Sequence, residues 1–432
     1  MSSILTNNGA TVALQTLRAI NTELSTVQTE IATGRRVARP DDNSAIWAIS
    51  KTMEADVRGF KGVSESLSLG QSTMSVARQG AETITELMTE IKGKVVAAQE
   101  ENVDRSKIQA DIDALVDQVD SIVSSASFNG LNMLQNTDAT AGSGSTNVLA
   151  SIDRNGNDVT NSDIAIRKRD LSTSASSVAA TGGTYNADAV TGTLDATQEV
   201  DLDLSGLTVE AGAAFSLSIF GTDGNDSSFV EADYQSTAAA TETQAEMAAG
   251  DMTYVARDGD TAGDVAAALV RKFNTYAAEN GLDGNVLSMS AAGDTITITS
   301  GVTDGTDTID VKVNELGADA GNTIGGGLED LRSINVNSDS GADAALGAIE
   351  GLIDVGIDAA ASFGSDARRL DTQQDFVTGL SDALKSGIGA LVDTDMEEAS
   401  ARLQALQVQQ QLAMQSLSIA NSSPQSLLGL FR

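Results

Sequence analysis

The chain has 432 residues, beyond the roughly 250–300 at which a single hydrophobic core stops growing, so two or more domains are expected. Its 61 acidic and 26 basic residues leave a formal net charge of -35, which sets repulsion against nucleic acid and anionic membranes. With no cysteine and no histidine, disulfides, thiolate nucleophiles and imidazole- or sulfur-bound zinc or iron are excluded, and no metal or cofactor is assigned.

Charge is missing where chain ends usually carry it. From Met1 to Thr22 the only charged side chain is Arg18, and from Leu403 to Phe431 there is none. Recurrent Gln, Ser and Asn, with Pro424 in the last segment, exclude a simple membrane span, which needs about 20 consecutive apolar residues. Burial is therefore expected from protein, the two ends meeting one another and neighbouring copies. No basic n-region, apolar h-region or cleavage site opens the chain, so no Sec signal is expected.

In chain order, Ala10, Ala13, Leu17, Ile20, Leu24, Val27 and Ile31 alternate spacings of three and four, the seam of a coiled coil. After an interruption from Gly34 to Pro40, the stripe resumes at Ile46, Ile49 and Met53 and runs from Phe60 to Val95. Trp47 lies in an apolar context and reads as core. Ile108, Ile112, Leu115, Val119 and Ile122 mark a helix that folds back, ending near an Asn129-Gly130 turn.

From about Asn136 to Gly327 the composition turns to Gly, Asp, Thr and Ser, with half-buried strands at Phe215–Ile219 and Thr295–Thr299. One helix interrupts them, Thr261 to Glu279, with Thr261 as N-cap and Gly281 as stop. The run Asp153 to Asp158 alternates oxygen ligands as a calcium loop does. Its Gly stands fourth instead of sixth, however, and Ile164 takes the place of the twelfth-position Glu, so a hairpin turn between Val148–Ile152 and Ile164–Arg167 is the main reading. Gly325-Gly326-Gly327 lacks the Lys-Ser or Lys-Thr of a phosphate loop and reads as a hinge. A long helix follows from Ile349 to Ile388. Its heptads continue through Val392, Met396, Ala399, Leu403 and Leu406, pass Gln410, and reach Ala413, Leu417 and Ala420.

Several segments resemble bacterial flagellin. Ala32-Thr33-Gly34-Arg35-Arg36-Val37, followed by Arg39-Pro40-Asp41-Asp42-Asn43-Ser44-Ala45, is similar to that family's Ser-Ser-Gly-Leu-Arg-Ile segment and its Asp-Asp-Ala-Ala continuation. Ile108-Gln109-Ala110-Asp111-Ile112 and Phe128-Asn129-Gly130 match in order and spacing, as do Asp393-Thr394-Asp395-Met396 and the ending Pro424 to Arg432. The resemblance covers about residues 1–135 and 340–432.

The expected fold is α+β and multidomain: long antiparallel coiled-coil helices from both termini form an inner core, and a β-rich outer region is inserted between them. The expected domains are 1–40 with 391–432, 41–170 with 328–390, and the outer region 171–327. The resemblance implies a structural subunit that polymerises into the flagellar filament for swimming, extracellular and exported by a type III route. It implies as partners the chain itself, other flagellins, an export chaperone, and hook-associated and cap proteins. A hook–filament junction protein is the alternative within the same system, and a secreted coiled-coil adhesin outside it. The seams and the resemblance nominate as assembly interface Leu17, Ile20, Leu24, Val27, Ile31, Arg35, Arg36, Leu403, Leu406, Leu417, Leu427, Leu428 and Arg432. Arg35, Arg36 and Arg39 read equally as a solvated joint beside Asp41 and Asp42 or as ion-pair donors to another subunit. No catalytic constellation is found, and the zinc protease insert of some flagellins needs histidines this chain lacks.

Overall fold

The computed structural model describes residues 7–155, 158–195, 198–222, 224, 228–235, 243–303 and 305–429, with the side chains of 154, 155 and 423–429 outside that description. The chain divides into two compact units, residues 1–65, 151–160 and 374–432, and residues 66–150 and 161–373.

Helix α1 (Asn8–Thr33) starts at Asn7, whose Oδ1 accepts the Ala10 N–H at 3.1 Å, and stops at Gly34 with φ 67°. Before α2 (Ser44–Ala98), Asp42 Oδ2 accepts the N–H groups of Ala38 and Arg39, both at 2.9 Å, and Asn43 Oδ1 caps through Ile46 N–H at 3.1 Å. The Pro40 interruption is thus a carboxylate-stapled turn. Ile49 lies exposed, off the stripe assigned to it, whereas Trp47 packs beside Val37 and Ile388 as expected. Helix α3 (Arg105–Ser125) buries Ile112, Val116, Val119 and Val123, so its inward face is rotated slightly from the expected one, and only Ile112 and Val119 are common to both.

A ribbon of β1 (Ser127–Phe128) and β2 (Leu131–Asn132) turns at Asn129 and Gly130, with φ of 52° and 81°. Strands β3 (Ser145–Asn155) and β4 (Asp158–Arg167) pair with one another, the expected hairpin, although Gly156 and Asn157 at its turn lie outside the described residues. Then come β5 (Tyr185–Leu194), β6 (Glu199–Asp203), β7 (Ala214–Thr222), the short helix α4 (Gln244–Ala249), β8 (Thr253–Val255), α5 (Ala262–Glu279), β9 (Ser288–Ala292), β10 (Thr295–Thr299) and β11 (Thr308–Leu316). They form one sheet in the order β5-β11-β7-β8 and a second in the order β6-β10-β9. Along β7, Phe215, Leu217 and Ile219 point into one core with Ile309, Val311 and Val313 of the neighbouring β11. Helix α5 contributes Val265, Leu269 and Phe273 to the same core, and its Thr261–Asp264 capping box fixes where it begins.

The chain enters and leaves this module side by side: Ser177 and Thr323 exchange N–H···O bonds of 3.1 and 2.8 Å. The three glycines beyond Thr323 are no loose hinge. Gly326 N–H donates to Ser174 O at 2.7 Å, Gly327 N–H donates to Asp170 Oδ1 at 3.2 Å, and a Cβ on Gly326 would meet Ser172 O at 1.9 Å. Close backbone approach, which any side chain would block, is the reason for glycine there. The return segment is then held by Gln109, whose Nε2 donates to Ile334 O (3.0 Å) while its Oε1 accepts Val336 N–H (2.8 Å).

Helix α6 (Asp339–Val392) and α7 (Met396–Gly429) follow. The expected continuous helix is broken between them. Asp395 Oδ1 accepts the N–H groups of Glu397 (2.9 Å) and Glu398 (3.2 Å), capping a new helix, and Thr394 N–H leaves the helical ladder to bond Gly34 O at 3.1 Å.

Candidate assembly surface

Helices α1 and α7 run antiparallel in one unit. Asn7 Nδ2 donates to Ala420 O at 2.8 Å, Asn21 Oδ1 accepts from Gln410 Nε2 at 2.7 Å, and Arg402 pairs with Glu23. At the foot of the pair Arg36 N–H reaches Val392 O at 2.7 Å, and Arg35 bridges to Asp393 through the backbone. Gln410, the polar intrusion in the heptads, therefore fixes register by meeting Asn21 instead of disturbing the seam.

The structure brings the nominated apolar residues together in the seam within one chain. Val27 and Leu406 are buried there, Leu406 at 4% exposure, with Ala399 and Ala413 beside them. Leu17, Ile20, Leu24, Ile31, Leu403 and Leu417 are half-buried along the same line. The nominated arginines also hold partners within the chain: Arg35 Nη1 bonds Glu54 Oε1 at 3.3 Å and Arg36 Nη2 donates to Leu391 O at 3.0 Å. Glu54 accepts Lys51 Nζ at 2.7 Å as well. That bond, opposed by partial burial and aided by the charges of Lys51, Arg35 and Arg58, holds its carboxyl below the usual value. Leu427 and Leu428 belong to α7 with side chains outside the description, and Arg432 lies outside the described residues.

What the heptad reading passed over is the back of the pair. Val408, Leu412 and Ile419 of α7 are 56%, 57% and 64% exposed, at spacings of four and seven. At 100° per residue they lie roughly 200° around the helix from Ala399, Leu406 and Ala413. Val12 and Leu14 are exposed on α1. No charged side chain interrupts this second stripe from Leu403 to Gly429. The signal was present in the sequence, as a charge-free helix with apolar residues on two faces where a single seam needs only one.

Among the described residues, no group of three or more Asp and Glu could hold a metal ion, and no helix is long and apolar enough to cross a membrane.

Residues 4–139 match the bacterial flagellin N-terminal helical region, and residues 346–431 match the bacterial flagellin C-terminal helical region. Flagellin A and flagellin B of Rhizobium meliloti are each 38% identical to this chain over 437 and 434 aligned residues, covering 100% of both partners in each comparison. A solved flagellar junction protein, FlgL from Legionella pneumophila, is 10% identical and covers 81% of this chain and 98% of its own, with a TM-score of 0.29. A likeness that low carries no argument for a junction role. The matches at both helical ends and along the full-length relatives place the paired helices in a known setting: the chain belongs to the bacterial flagellin family, structural proteins that polymerise into the extracellular flagellar filament.

Proposed function

We propose that the α1–α7 pair is the polymerising element of this filament subunit and that its outer stripe is what neighbouring subunits cover. The observation that supports this is the exposed, uncharged line of Val408, Leu412 and Ile419 in a chain of net charge -35. Charge keeps subunits apart everywhere else, so an uncharged surface selects where they meet. Leu17, Ile20, Leu24, Val27, Ile31, Leu403, Leu406 and Leu417 then act one step earlier, by zipping the pair that presents the stripe.

In this reading residues 1–40 and 391–432 build the inner tube, 41–170 and 328–390 surround it, and 171–327 face outward. A type III export route, with an export chaperone and hook-associated and cap proteins as partners, completes the reading. Removing residues 408–432 tests it. The shortened chain is expected to keep its β-rich module folded and to stay in the supernatant when mixed with wild-type filament seeds. Pelleting of the shortened chain with the seeds would overturn the assignment.

A further inference from the structure

Five of the chain's 26 basic side chains line one cleft of about 190 Å³ in the second unit, between the end of β4, helix α5 and helix α6. Two of the five hold partners within the chain. Arg167 Nη2 bonds Asp260 Oδ1 (2.8 Å) and Asp264 Oδ2 (3.0 Å). Arg257 donates to Gly325 O (3.1 Å) and to the Tyr254 hydroxyl (2.9 Å). Two of the carboxylates in the lining are engaged likewise. Asp170 accepts from Ser172, Asn136 and Gly327, and Asp260 from Tyr254, Arg167 and the Arg257 N–H.

Besides the Lys168 side chain, which bonds nothing among the described residues, three groups in the same cleft are left over. Among the described residues the Arg169 and Arg271 side chains form no hydrogen bond or ion pair, and Arg169 Nε is wholly buried. Asn136 Oδ1 is buried with no donor, although its Nδ2 reaches Asp258 O at 3.0 Å. Asp358, which also lines the cleft, is solvent-exposed and pairs with neither arginine. A buried donor without a partner is expensive, and a fold that sets Arg169, with its Nε buried, and the half-buried Arg271 beside a buried unpaired acceptor leaves a place for a counter-ion with both acceptor and donor atoms. Burial also holds the Arg271 guanidinium below its ordinary pKa, as expected of a cation short of partners.

We propose that this cleft binds hydrogen phosphate, its anionic oxygens between Arg169 and Arg271 and its O–H donated to Asn136 Oδ1. The space suffices, since a single water needs only about 10–15 Å³. Two guanidiniums offer the forked donors that tetrahedral oxyanions select. The Asn136 acceptor distinguishes hydrogen phosphate from sulfate, which brings no proton. Bound there, the anion ties the β-rich module, through Arg271 of α5 and Arg169 beyond β4, to its supporting helices.

Calorimetric titration of the full-length monomer with inorganic phosphate, at constant ionic strength in chloride, tests the assignment. Saturable one-site binding is expected, with sulfate weaker. Arg271→Gln and, independently, Arg169→Gln should each weaken phosphate at least about tenfold, the loss of one charge-assisted bond. Asn136→Ala should weaken phosphate and leave sulfate unchanged. Circular dichroism identifies any variant that fails to fold, and the remaining variant then decides. No saturable heat in the wild type, or phosphate binding within twofold of wild type in a folded arginine variant, overturns the site. Sulfate binding as tightly as phosphate overturns the role given to Asn136.

Discussion

Leu412→Asp separates the outer stripe from the inner seam. A fully buried leucine contributes about 1.5–3 kcal/mol relative to an exposed one. Leu412 is still 57% exposed in the single chain, so roughly 0.9–1.7 kcal/mol of that remains for a neighbouring subunit to claim. Losing it alone raises the critical concentration for polymerisation by roughly 5- to 20-fold. An unpaired carboxylate in the covered contact adds several kcal/mol, which is enough to abolish filaments at ordinary concentrations. The monomer should hardly notice, because substitutions at exposed positions usually stay within about 0.5 kcal/mol. Leu406→Asp is the contrast. At 4% exposure it breaks the α1–α7 seam itself, so monomer helicity and polymerisation should fall together. Seeded sedimentation with far-ultraviolet circular dichroism of each monomer reads both effects. If Leu412→Asp pellets with seeds as efficiently as wild type, the outer stripe is not the inter-subunit contact.

Lys272 lies largely buried, 2.8 Å from Glu329 and 2.6 Å from Asp330, so Lys272→Met should cost about 3–5 kcal/mol by leaving two carboxylates without their cation, read as a fall in the thermal midpoint. Burial alone would raise Glu329, but Lys272 and Ser176 outweigh it and hold the carboxyl below its usual value; its contribution is therefore present above the ordinary carboxylate range and lost as pH falls through the depressed value. In Lys272→Met the sign reverses, and the gap to wild type should narrow on acidification from pH 7; a gap that widens refutes the assignment. Gly326→Ala should lower stability by about 1–3 kcal/mol or more, because the Cβ meets Ser172 O at 1.9 Å and backbone cannot rotate away; a thermal midpoint equal to wild type would refute the close approach. Replacing residues 178–322 by a two-glycine turn should leave a chain that still polymerises, since Ser177 and Thr323 are already hydrogen-bonded partners. That chain should be less stable than wild type, with Glu329 and Asp330 deprived of Lys272, and its absence from seeded pellets despite folded helices would show that the module takes part in assembly.

Periodicity carried the helices well, because a three-four spacing and a two-residue alternation leave few other structures open to Leu17 through Ile31 or to Thr295–Thr299. Capping chemistry carried α5 to within a residue or two. The break after Val392 was invisible to the heptads, since an Asp that caps and an Asp on a solvated face read alike in sequence; the bonds Asp395 Oδ1 accepts from Glu397 and Glu398, and the one from Thr394 to Gly34, distinguish them. Apolar pattern also located the seam without saying which apolar residues face the same chain and which face the next. Leu406 and Leu412 are both leucines in an uncharged helix, and their exposures of 4% and 57% follow from pairing with α1. Long-range polar ties such as Gln109 to Ile334 and Val336 leave no periodic trace at all.

The bond from Asn7 to Ala420 joins residues 413 apart in sequence. In an otherwise unfolded chain, closing a loop of that length costs about 5 kcal/mol in entropy from the logarithmic term alone, and a seam of small and half-buried side chains recovers that slowly. Folding the interior first removes most of the slack. The terminal pair therefore zips last and opens first, and a subunit whose interior is still extended presents no completed outer stripe. On that order of folding, polymerisation is expected to wait until the interior is formed.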